Sequence, residues 1–461
     1  MTTETFIRRS RIEAPAEEVF RWHARPGALE RLTPPWAGVR VVERTGGLED
    51  GARVVLDIPL GPTSVRWVAE HRDCVEGRRF RDVQVAGPFA RWEHTHSFEP
   101  DGPNACYLED RIDYALPLGT AGALVGGSFV RGMLEPMFAY RHRVTAQDIA
   151  THAAYRQCGP LHVLVSGASG LVGSALVPFL TTGGHRVTRL VRADPVAGED
   201  ALRWDPARGE LDPGGLEGPD AVVHLAGENV AAGRWTDAVK ARIRSSRTAG
   251  TRLLCESLAR LARRPRTIVS ASAIGFYGNR GSEFLTEESS SGAGFLAEVC
   301  REWEAATEPA ARAGIRVVLL RIGVVLSAGG GALARLLLPF KAGLGGSVGS
   351  GEQYMSWVAL DDVLGAILHT LATGTLAGPV NAVAPNPVTN QEFTATLGRV
   401  LSRPTILPLP AIALRFALGE MADEMLLAST RVAPARLDAS GYGFRFPDLE
   451  AALRHALGKS A

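Results

Sequence analysis

Lysine is almost absent from this chain of 461 residues, in which Lys240, Lys341 and Lys459 are the only lysines. The other 47 of its 50 basic residues are arginines, and 49 acidic residues leave a formal net charge of +1. A charge this close to zero gives no electrostatic argument for a nucleic-acid partner. The shortage of lysine also limits where an ammonium group could assist catalysis.

Cysteine and long apolar runs are scarce as well. The five cysteines lack C-x-x-C spacing, which argues against a disulfide framework and against a zinc–cysteine site. Since the amino terminus also lacks the apolar core of a secretory leader, we expect a cytoplasmic protein. The most apolar stretch, residues 116–137, is interrupted by Arg131, Glu135 and Pro136, so we predict no membrane span.

The most informative feature is a glycine-rich turn in the middle of the chain. The apolar run at residues 163–166 is followed by three glycines three residues apart and then by helical spacing of apolar residues. A strand, a tight turn and a helix N-terminus together present backbone N–H groups to a dinucleotide pyrophosphate. We predict that this turn binds a dinucleotide, through Gly167, Ser169, Gly170, Leu171, Val172 and Gly173. The alternative is an ordinary strand-to-helix turn.

The next strand bears on the kind of dinucleotide. It carries Arg189 and Arg192 where an NAD site usually has an acidic residue, and guanidinium groups suit a 2′-phosphate. We therefore predict NADP rather than NAD, unless both arginines are simply solvated. Asp205 is expected to meet the adenine amino group. Residues at later strand ends complete the predicted cofactor site: Leu225, Ala226, Gly227 and Ser270.

The order of strand-like and helix-like segments predicts three domains. Residues 1–155 read as an α+β domain, in which an antiparallel sheet wraps a helix at residues 125–150. Residues 160–402 alternate strands and helices, as a Rossmann-type doubly wound parallel sheet does. Residues 403–461 form a small C-terminal domain. The predicted strands of the middle domain lie at residues 161–166, 186–191, 220–225, 266–271 and 315–321.

The first segment resembles the START-like (SRPBCC, polyketide-cyclase-like) ligand-binding superfamily. Residues 12–20, Ile-Glu-Ala-Pro-Ala-Glu-Glu-Val-Phe, are similar to that superfamily's opening strand and helix. The resemblance implies a cavity for an apolar ligand. His94 and His96 share one face of a strand, but no third ligand is evident nearby, so we predict no metal site.

The middle segment resembles the extended short-chain dehydrogenases of the NAD-dependent epimerase/dehydratase superfamily. Within it, an epimerase-like family, some of whose members are named cell-division inhibitors, has similar motifs. They are Leu225–Glu228, Ser246-Arg247, Ser270–Gly278, Arg321–Leu326, Gly345–Gly351 and Trp357 with Asp361-Asp362. The segment Gly419-Glu420-Met421 resembles that family's small C-terminal domain.

The superfamily's catalytic residues are only partly present. The resemblance implies a tyrosine with a lysine four residues later, but no Y-x-x-x-K occurs, and Phe295 and Val299 stand at that position. We predict Tyr277 as the surviving proton donor, assisted by Ser272; the alternative is that Tyr277 packs beside the cofactor. Glu298 and Glu304 are further acid/base candidates. The glycine-rich loop at residues 329–351 is expected to shape a substrate or partner site, or else to be a mobile loop.

Three functions remain in competition. The first is an NADP-dependent oxidoreductase or epimerase-like enzyme with an atypical active site, fused to an apolar-ligand-binding domain. The second is a non-catalytic NADP-binding regulator acting in cell division. A third has the N-terminal domain as the active part, a cyclase or lipid-binding module. The sequence leaves the substrate and the oligomeric state open.

Overall fold

The computed structural model describes residues 3–61, 63–117, 119–196, 198–211 and 214–459, with the backbone alone described for 119–125 and 214. The chain divides into two compact units. The first comprises residues 1–157, 178–184 and 457–460, and the second comprises residues 158–177, 185–456 and 461. The second unit thus includes most of the predicted C-terminal domain; the three domain boundaries stay predictions.

The first unit is built on an antiparallel sheet. In the part of the chain described, its sheet has the strand order β1-β7-β6-β5-β4-β3-β2. The elements are β1 Glu4–Ile12, α1 Ala16–Ala24, α2 Ala28–Leu32, β2 Arg40–Thr45, β3 Arg53–Leu60, β4 Thr63–Val75, β5 Arg79–Ala86, β6 Arg91–Pro100, β7 Cys106–Ala115 and α3 Gly119–Ala154. The helix predicted at residues 125–150 is therefore present and longer at both ends.

Strict alternation of side chains builds the core of this unit. Along β6, Trp92, His94, His96 and Phe98 are buried, while the residues between them are half-buried. Two apolar clusters form on the inner face of the sheet, one around Phe98 and one around Trp92. The polar pair His94 and His96 lies between these two residues on the same face, as the strand period of two requires.

The second unit is built on a parallel sheet. Its sheet elements and the helices between them are β8 His162–Ser166, α4 Leu171–Thr182, β9 Arg186–Val191, β10 Ala201–Asp205, β11 Glu210–Leu211, β12 Ala221–His224, α5 Asp237–Arg260, β13 Thr267–Ala273, β14 Phe284–Leu285, α6 Phe295–Ala305, α7 Glu308–Arg312 and β15 Arg316–Ile322. The later elements are β16 Val324–Leu326, α8 Gly331–Lys341, β17 Tyr354–Met355, β18 Trp357–Ala359, α9 Leu360–Ala372, β19 Gly378–Ala382, β20 Val388–Thr389, α10 Asn390–Leu401, α11 Ala411–Leu418, α12 Glu420–Met425, β21 Arg431–Val432, α13 Ala435–Ala439 and α14 Leu449–Leu457.

The strand order of this sheet is β11-β10-β9-β8-β12-β13-β15-β19 among the described residues. All its pairings from β10 to β19 are parallel, so the carboxyl ends of β8, β12 and β13 lie side by side at one edge. The predicted fold class and the five predicted strands are confirmed. The prediction missed β10, which contains charged residues, and β19, which begins with Gly-Pro.

Residues from the C-terminal part of the chain complete this unit. Strand β21 pairs with β14 through Arg431 and Val432. The Glu424 carboxylate accepts hydrogen bonds from the backbone N–H groups of Phe295 at 2.8 Å and Leu296 at 3.0 Å, where α6 begins. A carboxylate is favourable at a helix N-terminus because the first N–H groups lack partners within the helix. Across the described residues, none of the helices is long and apolar enough to cross a membrane.

Candidate functional site

The glycine turn between β8 and α4 is closed by backbone contacts that exclude a side chain at two of its three glycines. Gly167 has φ +70°, and a β-carbon there would lie 2.7 Å from the carbonyl carbon of Leu225. A β-carbon on Gly173 would lie 2.2 Å from the carbonyl oxygen of Gly167. The first glycine therefore lets the turn meet the end of β12, and the third packs helix α4 onto the turn.

The middle glycine is different. The nearest atom to a β-carbon on Gly170 would be the Gly167 carbonyl oxygen at 3.3 Å, and both Gly170 and Ser169 are exposed. The protein itself thus leaves free the space in front of Gly170, at the N-terminus of α4. Unpaired N–H groups at that helix end favour an anion, so the residues of this turn fit a pyrophosphate.

A buried hydrogen-bond chain holds the neighbouring strand end. His224 lies within hydrogen-bond distance of Ser166 Oγ through Nδ1 (2.6 Å) and of Thr251 Oγ1 through Nε2 (2.9 Å). The backbone N–H of Leu225 donates to the same Ser166 oxygen at 3.2 Å, and Trp303 donates to Thr251. Burial lowers the pKa of His224 to about 4, so the ring is neutral at pH 7. These hydrogen bonds fix the position of the backbone at Leu225, which faces Gly167.

The two arginines predicted to bind a 2′-phosphate have different surroundings. Arg189, on β9, is half-buried and forms an ion pair with Glu199 at 3.0 Å. Arg192 is exposed just beyond the carboxyl end of β9 and forms no ion pair with the described residues. Asp205, predicted to meet the adenine, accepts a hydrogen bond from Ala207 N at 3.1 Å at the end of β10. Arg192 is therefore the more available cation.

The remaining predicted cofactor residues lie at the carboxyl ends of β12 and β13. Ser270 is buried on β13, paired in register with His224. A β-carbon on Gly227 would lie 3.2 Å from the Arg247 guanidinium carbon, and that guanidinium lies 5.0 Å from the centre of the Trp303 ring. Arg247 belongs to the predicted Ser246-Arg247 motif, and it places a cation beside the loop after β12.

Tyr277 is completely buried, and its hydroxyl has two partners. It donates to Asn381 Oδ1 at 2.7 Å and accepts from Arg321 Nη1 at 3.0 Å. Burial raises the pKa of the Tyr277 phenol, with Arg321 opposing that shift. Arg321 also stacks on Phe276, its guanidinium carbon 3.4 Å from the ring centre. These contacts favour the packing alternative that the sequence left open for Tyr277.

Ser272 belongs to the same network. Its hydroxyl donates to Glu304 Oε1 at 2.7 Å, and Arg321 donates to both oxygens of Glu304 at 2.8 Å. The structure therefore joins Ser272 and Tyr277 through a buried carboxylate–guanidinium pair. Arg321 and Asn381 are the participants that sequence reasoning missed as functional groups, since nothing near either residue indicates its distant partners.

The position that would carry the tyrosine–lysine pair is apolar. Phe295 and Val299, on α6, are buried with Trp235, Ile243 and Met421. The Lys240 ammonium lies 4.6 Å from the centre of the Phe295 ring and is ion-paired with Glu420. A phenyl ring and an isopropyl group have no exchangeable proton, so acid/base chemistry would have to come from other side chains.

The remaining features predicted from the sequence are Glu298 and the glycine-rich stretch at residues 329–351, and both contact other parts of the second unit. Glu298 is exposed and ion-paired with Arg244 at 3.1 Å. The stretch predicted as a glycine-rich loop contains helix α8, because an apolar run follows its first glycines. The Gln353 amide donates to the carbonyls of Val348 and Leu426, which ties the end of this stretch to the C-terminal segment.

Comparisons with known proteins agree with this architecture. The profile of the NAD dependent epimerase/dehydratase family matches residues 163–382. The profile described as polyketide cyclase/dehydrase and lipid transport matches residues 12–138. A domain of unknown function, DUF1731, matches residues 409–456. These matches confirm the resemblances on which the sequence analysis depended.

Among curated proteins, an epimerase family protein of Mycobacterium bovis is 46% identical over 294 residues, covering 64% of this chain and 97% of that protein. The epimerase family protein SDR39U1 of Homo sapiens is 37% identical over 297 residues, which cover 64% of this chain and 99% of that protein. A crystal structure of the human protein with NADPH has a TM-score of 0.59, with 35% identity, 64% of this chain and 99% of that chain covered.

One solved structure matches both units. The nucleoside-diphosphate sugar epimerase of Corynebacterium glutamicum is 37% identical, with a TM-score of 0.82 over 98% of this chain and 90% of that chain. Together with the glycine turn and the parallel sheet, these matches show to which family the chain belongs. It belongs to the epimerase family that these relatives share, among the NAD dependent epimerase/dehydratase proteins.

Proposed function

We propose that the second unit binds NADP(H) and acts as an oxidoreductase or epimerase-like enzyme with atypical proton-transfer residues. The observation that carries this proposal is the turn at residues 167–173, where the protein excludes a β-carbon at Gly167 and Gly173 but leaves Gly170 open. The human relative whose structure contains NADPH supports the choice of cofactor. When bound, the dinucleotide supplies hydride transfer at its nicotinamide ring.

Different residues of this chain would bind different parts of the cofactor. Backbone N–H groups at the start of α4 would hold the pyrophosphate, and the exposed Arg192 would hold the 2′-phosphate. Arg189 would assist only by leaving its ion pair with Glu199, so its contribution is smaller. Leu225, Ala226 and Gly227 follow a strand end fixed by His224, and their backbone would contact the bound cofactor.

The binding proposal is tested by Gly170→Ala. Its methyl group would lie 3.3 Å from the Gly167 carbonyl oxygen, a tight contact that a small shift relieves, so we expect only a small fall in the melting temperature. The same methyl group occupies the space in front of the turn, so NADPH affinity, measured by the fluorescence of the bound cofactor, should fall at least about tenfold. Gly374→Ala is the control, because a β-carbon there meets nothing within 4 Å. Unchanged NADPH affinity in Gly170→Ala would contradict dinucleotide binding at this turn.

The preference for NADP is tested by charge reversal at Arg192. Arg192→Glu should weaken NADPH binding about 10- to 100-fold, the value of a charged hydrogen bond, and leave NADH binding nearly unchanged. Arg186→Glu is the matched control, since Arg186 begins the same strand at its opposite end. Equal losses for both cofactors in Arg192→Glu would refute a role in 2′-phosphate binding.

We infer that Ser272 carries the proton transfer. Because its hydroxyl proton points to Glu304, the serine oxygen can accept a proton from a substrate hydroxyl while its own proton passes to the carboxylate. The Tyr277 hydroxyl already donates to Asn381 and accepts from Arg321, so its role is to position Arg321. Ser272→Ala should therefore retain NADPH binding and lose turnover, whereas Tyr277→Phe should retain turnover. Loss of turnover in Tyr277→Phe, with Ser272→Ala active, would reverse this assignment.

The substrate panel for these assays starts with nucleoside-diphosphate sugars, because a relative that matches both units is a nucleoside-diphosphate sugar epimerase. Simple carbonyl compounds form the second group of candidates. For the first unit, the match to a lipid-transport profile supports an apolar ligand.

The apolar surroundings of Phe295 and Val299 favour a second function, a non-catalytic NADP-binding regulator. The two functions differ in a single measurement. If the purified chain binds NADPH with the expected effect of Gly170→Ala, yet neither oxidises it nor converts any member of the panel, the regulator is supported.

A further inference from the structure

The inner face of the sheet in the first unit contains a buried polar centre. Asp82 on β5 is the register partner of His94 on β6, and His96 on β6 is the register partner of Asp110 on β7. His94, His96 and Asp110 are all buried. The sequence showed no third group near His94 and His96, because Asp82 comes from the neighbouring strand.

This centre interrupts an otherwise apolar surface. Along β7, Asp110 lies between the buried Leu108 and Ile112, which belong to the two separate apolar clusters. Burying carboxylates and imidazoles is costly unless each is paired, and well-packed apolar residues are often at least as stable. A polar centre in this position therefore points to a function beyond the stability of the fold.

Three atoms of the centre are arranged as ligands of one ion. Asp82 Oδ2 lies 3.3 Å from His96 Nε2 and 3.6 Å from His94 Nδ1, and all three lie within 4.8 Å of one another. Ligand atoms bound tetrahedrally at about 2.0–2.1 Å are about 3.3–3.4 Å apart, which is the separation expected around zinc. Two histidines and one carboxylate also make up a common donor set for divalent transition metals.

The ligand side chains are flanked on their other sides by carboxylate and imidazole atoms. Asp110 Oδ1 lies 2.9 Å from His94 Nε2 and 2.6 Å from His96 Nδ1, and Asp82 Oδ1 lies 2.8 Å from His71 Nδ1. A carboxylate behind a metal-binding imidazole is the usual arrangement, since it fixes the tautomer and the ring orientation. His142 in turn holds the second oxygen of Asp110 at 2.6 Å.

The same arrangement turns two acceptor atoms toward each other. When His94 donates Nε2–H to Asp110, its Nδ1 carries a lone pair that faces the Asp82 carboxylate at 3.6 Å. Two electron-rich atoms turned toward each other in a buried site repel unless a positive charge lies between them. A metal ion at this point satisfies both atoms at once.

We propose that Asp82, His94 and His96 bind a divalent transition-metal ion inside the START-like unit, with Asp110 as the positioning residue for both imidazoles. Three protein ligands leave a fourth position open to water or to an oxygen atom of a bound ligand. The Asp82 side chain is 22% exposed, whereas those of His94 and His96 are 4% and 5% exposed, so Asp82 is the ligand nearest to solvent.

The test uses the untagged full-length chain, stripped with a chelator and then titrated with Co²⁺. We expect about one Co²⁺ per chain, with the intense visible absorption of a four-coordinate site, and displacement by Zn²⁺ added in equal amount. An anaerobic titration with Fe²⁺ decides between zinc and iron as the bound metal. Stronger retention of Fe²⁺ than of Zn²⁺ would identify an iron site. If the chain takes up none of the three ions in stoichiometric amount, the proposal is overturned.

Variants locate the ion. His94→Gln and Asp82→Asn should each lose the bound Co²⁺, and Asp110→Asn should weaken binding about 10- to 100-fold. His369→Gln is the control, because His369 is a buried histidine of the second unit. Co²⁺ retained in both His94→Gln and Asp82→Asn would overturn the site. If these variants do not fold, a chelator-induced fall in the melting temperature of the wild-type chain, reversed by Zn²⁺, tests the same claim, and its absence contradicts it.

Discussion

Replacing His224 by glutamine should reduce the pH dependence of the stability of the second unit. Burial lowers the folded-state pKa of His224 to about 4, whereas an unfolded histidine titrates near 6.5. Between these values the unfolded chain binds a proton that the folded chain does not. The stability due to the neutral ring is therefore complete above about pH 6.5 and is lost as pH falls toward 4.

The size of the effect follows from this difference. At pH 5 the unfolded chain gains about 1.5 pKa units of protonation free energy, or about 2 kcal/mol, with a ceiling of about 3 kcal/mol at lower pH. His224 is completely buried, so solvent screening does not reduce this value. Glutamine keeps a polar group between Ser166 and Thr251 but cannot take up the proton.

Urea unfolding, followed by tryptophan fluorescence, measures the effect. Trp204 lies 5.7 Å from the His224 ring and Trp303 donates to its partner Thr251, so tryptophan emission reports on this region. Between pH 7.5 and pH 5 the wild-type chain should lose about 2 kcal/mol more than His224→Gln. The other titrating groups contribute equally to both chains and cancel. Parallel losses in the two chains would refute the reasoning.

Two further predictions concern the same unit. Gly173→Ala places a β-carbon 2.2 Å from the Gly167 carbonyl oxygen, so the turn must move; calorimetry should show a lower melting temperature, and an unchanged one would contradict the contact. Glu304→Gln leaves the Arg321 guanidinium buried without a counterion, which should cost about 3–5 kcal/mol in urea unfolding. Adding Arg321→Met should recover part of that loss, whereas strictly additive losses would show that the pair does not act as a unit.

The sequence predicted those parts of the fold that depend on local patterns. Strand β8 and the turn after it are a β-branched run followed by spaced glycines, so both could be located, and β9 was placed without error at Arg186–Val191. Strand β10 was missed because Arg203 and Asp205 mask its apolar alternation. The C-terminal Glu424 could not be paired with Phe295, because the helix N-terminus it occupies lies 129 residues earlier.

In the candidate sites, too, features set by local sequence patterns could be predicted, and contacts between distant residues could not. The glycines of the turn at residues 167–173 have a characteristic spacing, so the turn could be predicted from the sequence. The network of Ser272, Glu304 and Arg321 was only half visible, because its members come from one helix and two strands. Asp82 was not recognised beside His94, because a strand register is set by the whole sheet and not by the residues themselves.

The contact between Glu424 and the start of α6 has a consequence for synthesis on the ribosome. The N–H groups of Phe295 and Leu296 have no carboxylate until residue 424 leaves the exit tunnel, and β14 lacks its partner until Arg431 and Val432 follow. The second unit is therefore completed only after residues 424–432 have left the exit tunnel. A chain shortened at residue 402 would carry an uncapped helix and an unpaired strand, which are features that chaperones and proteases recognise.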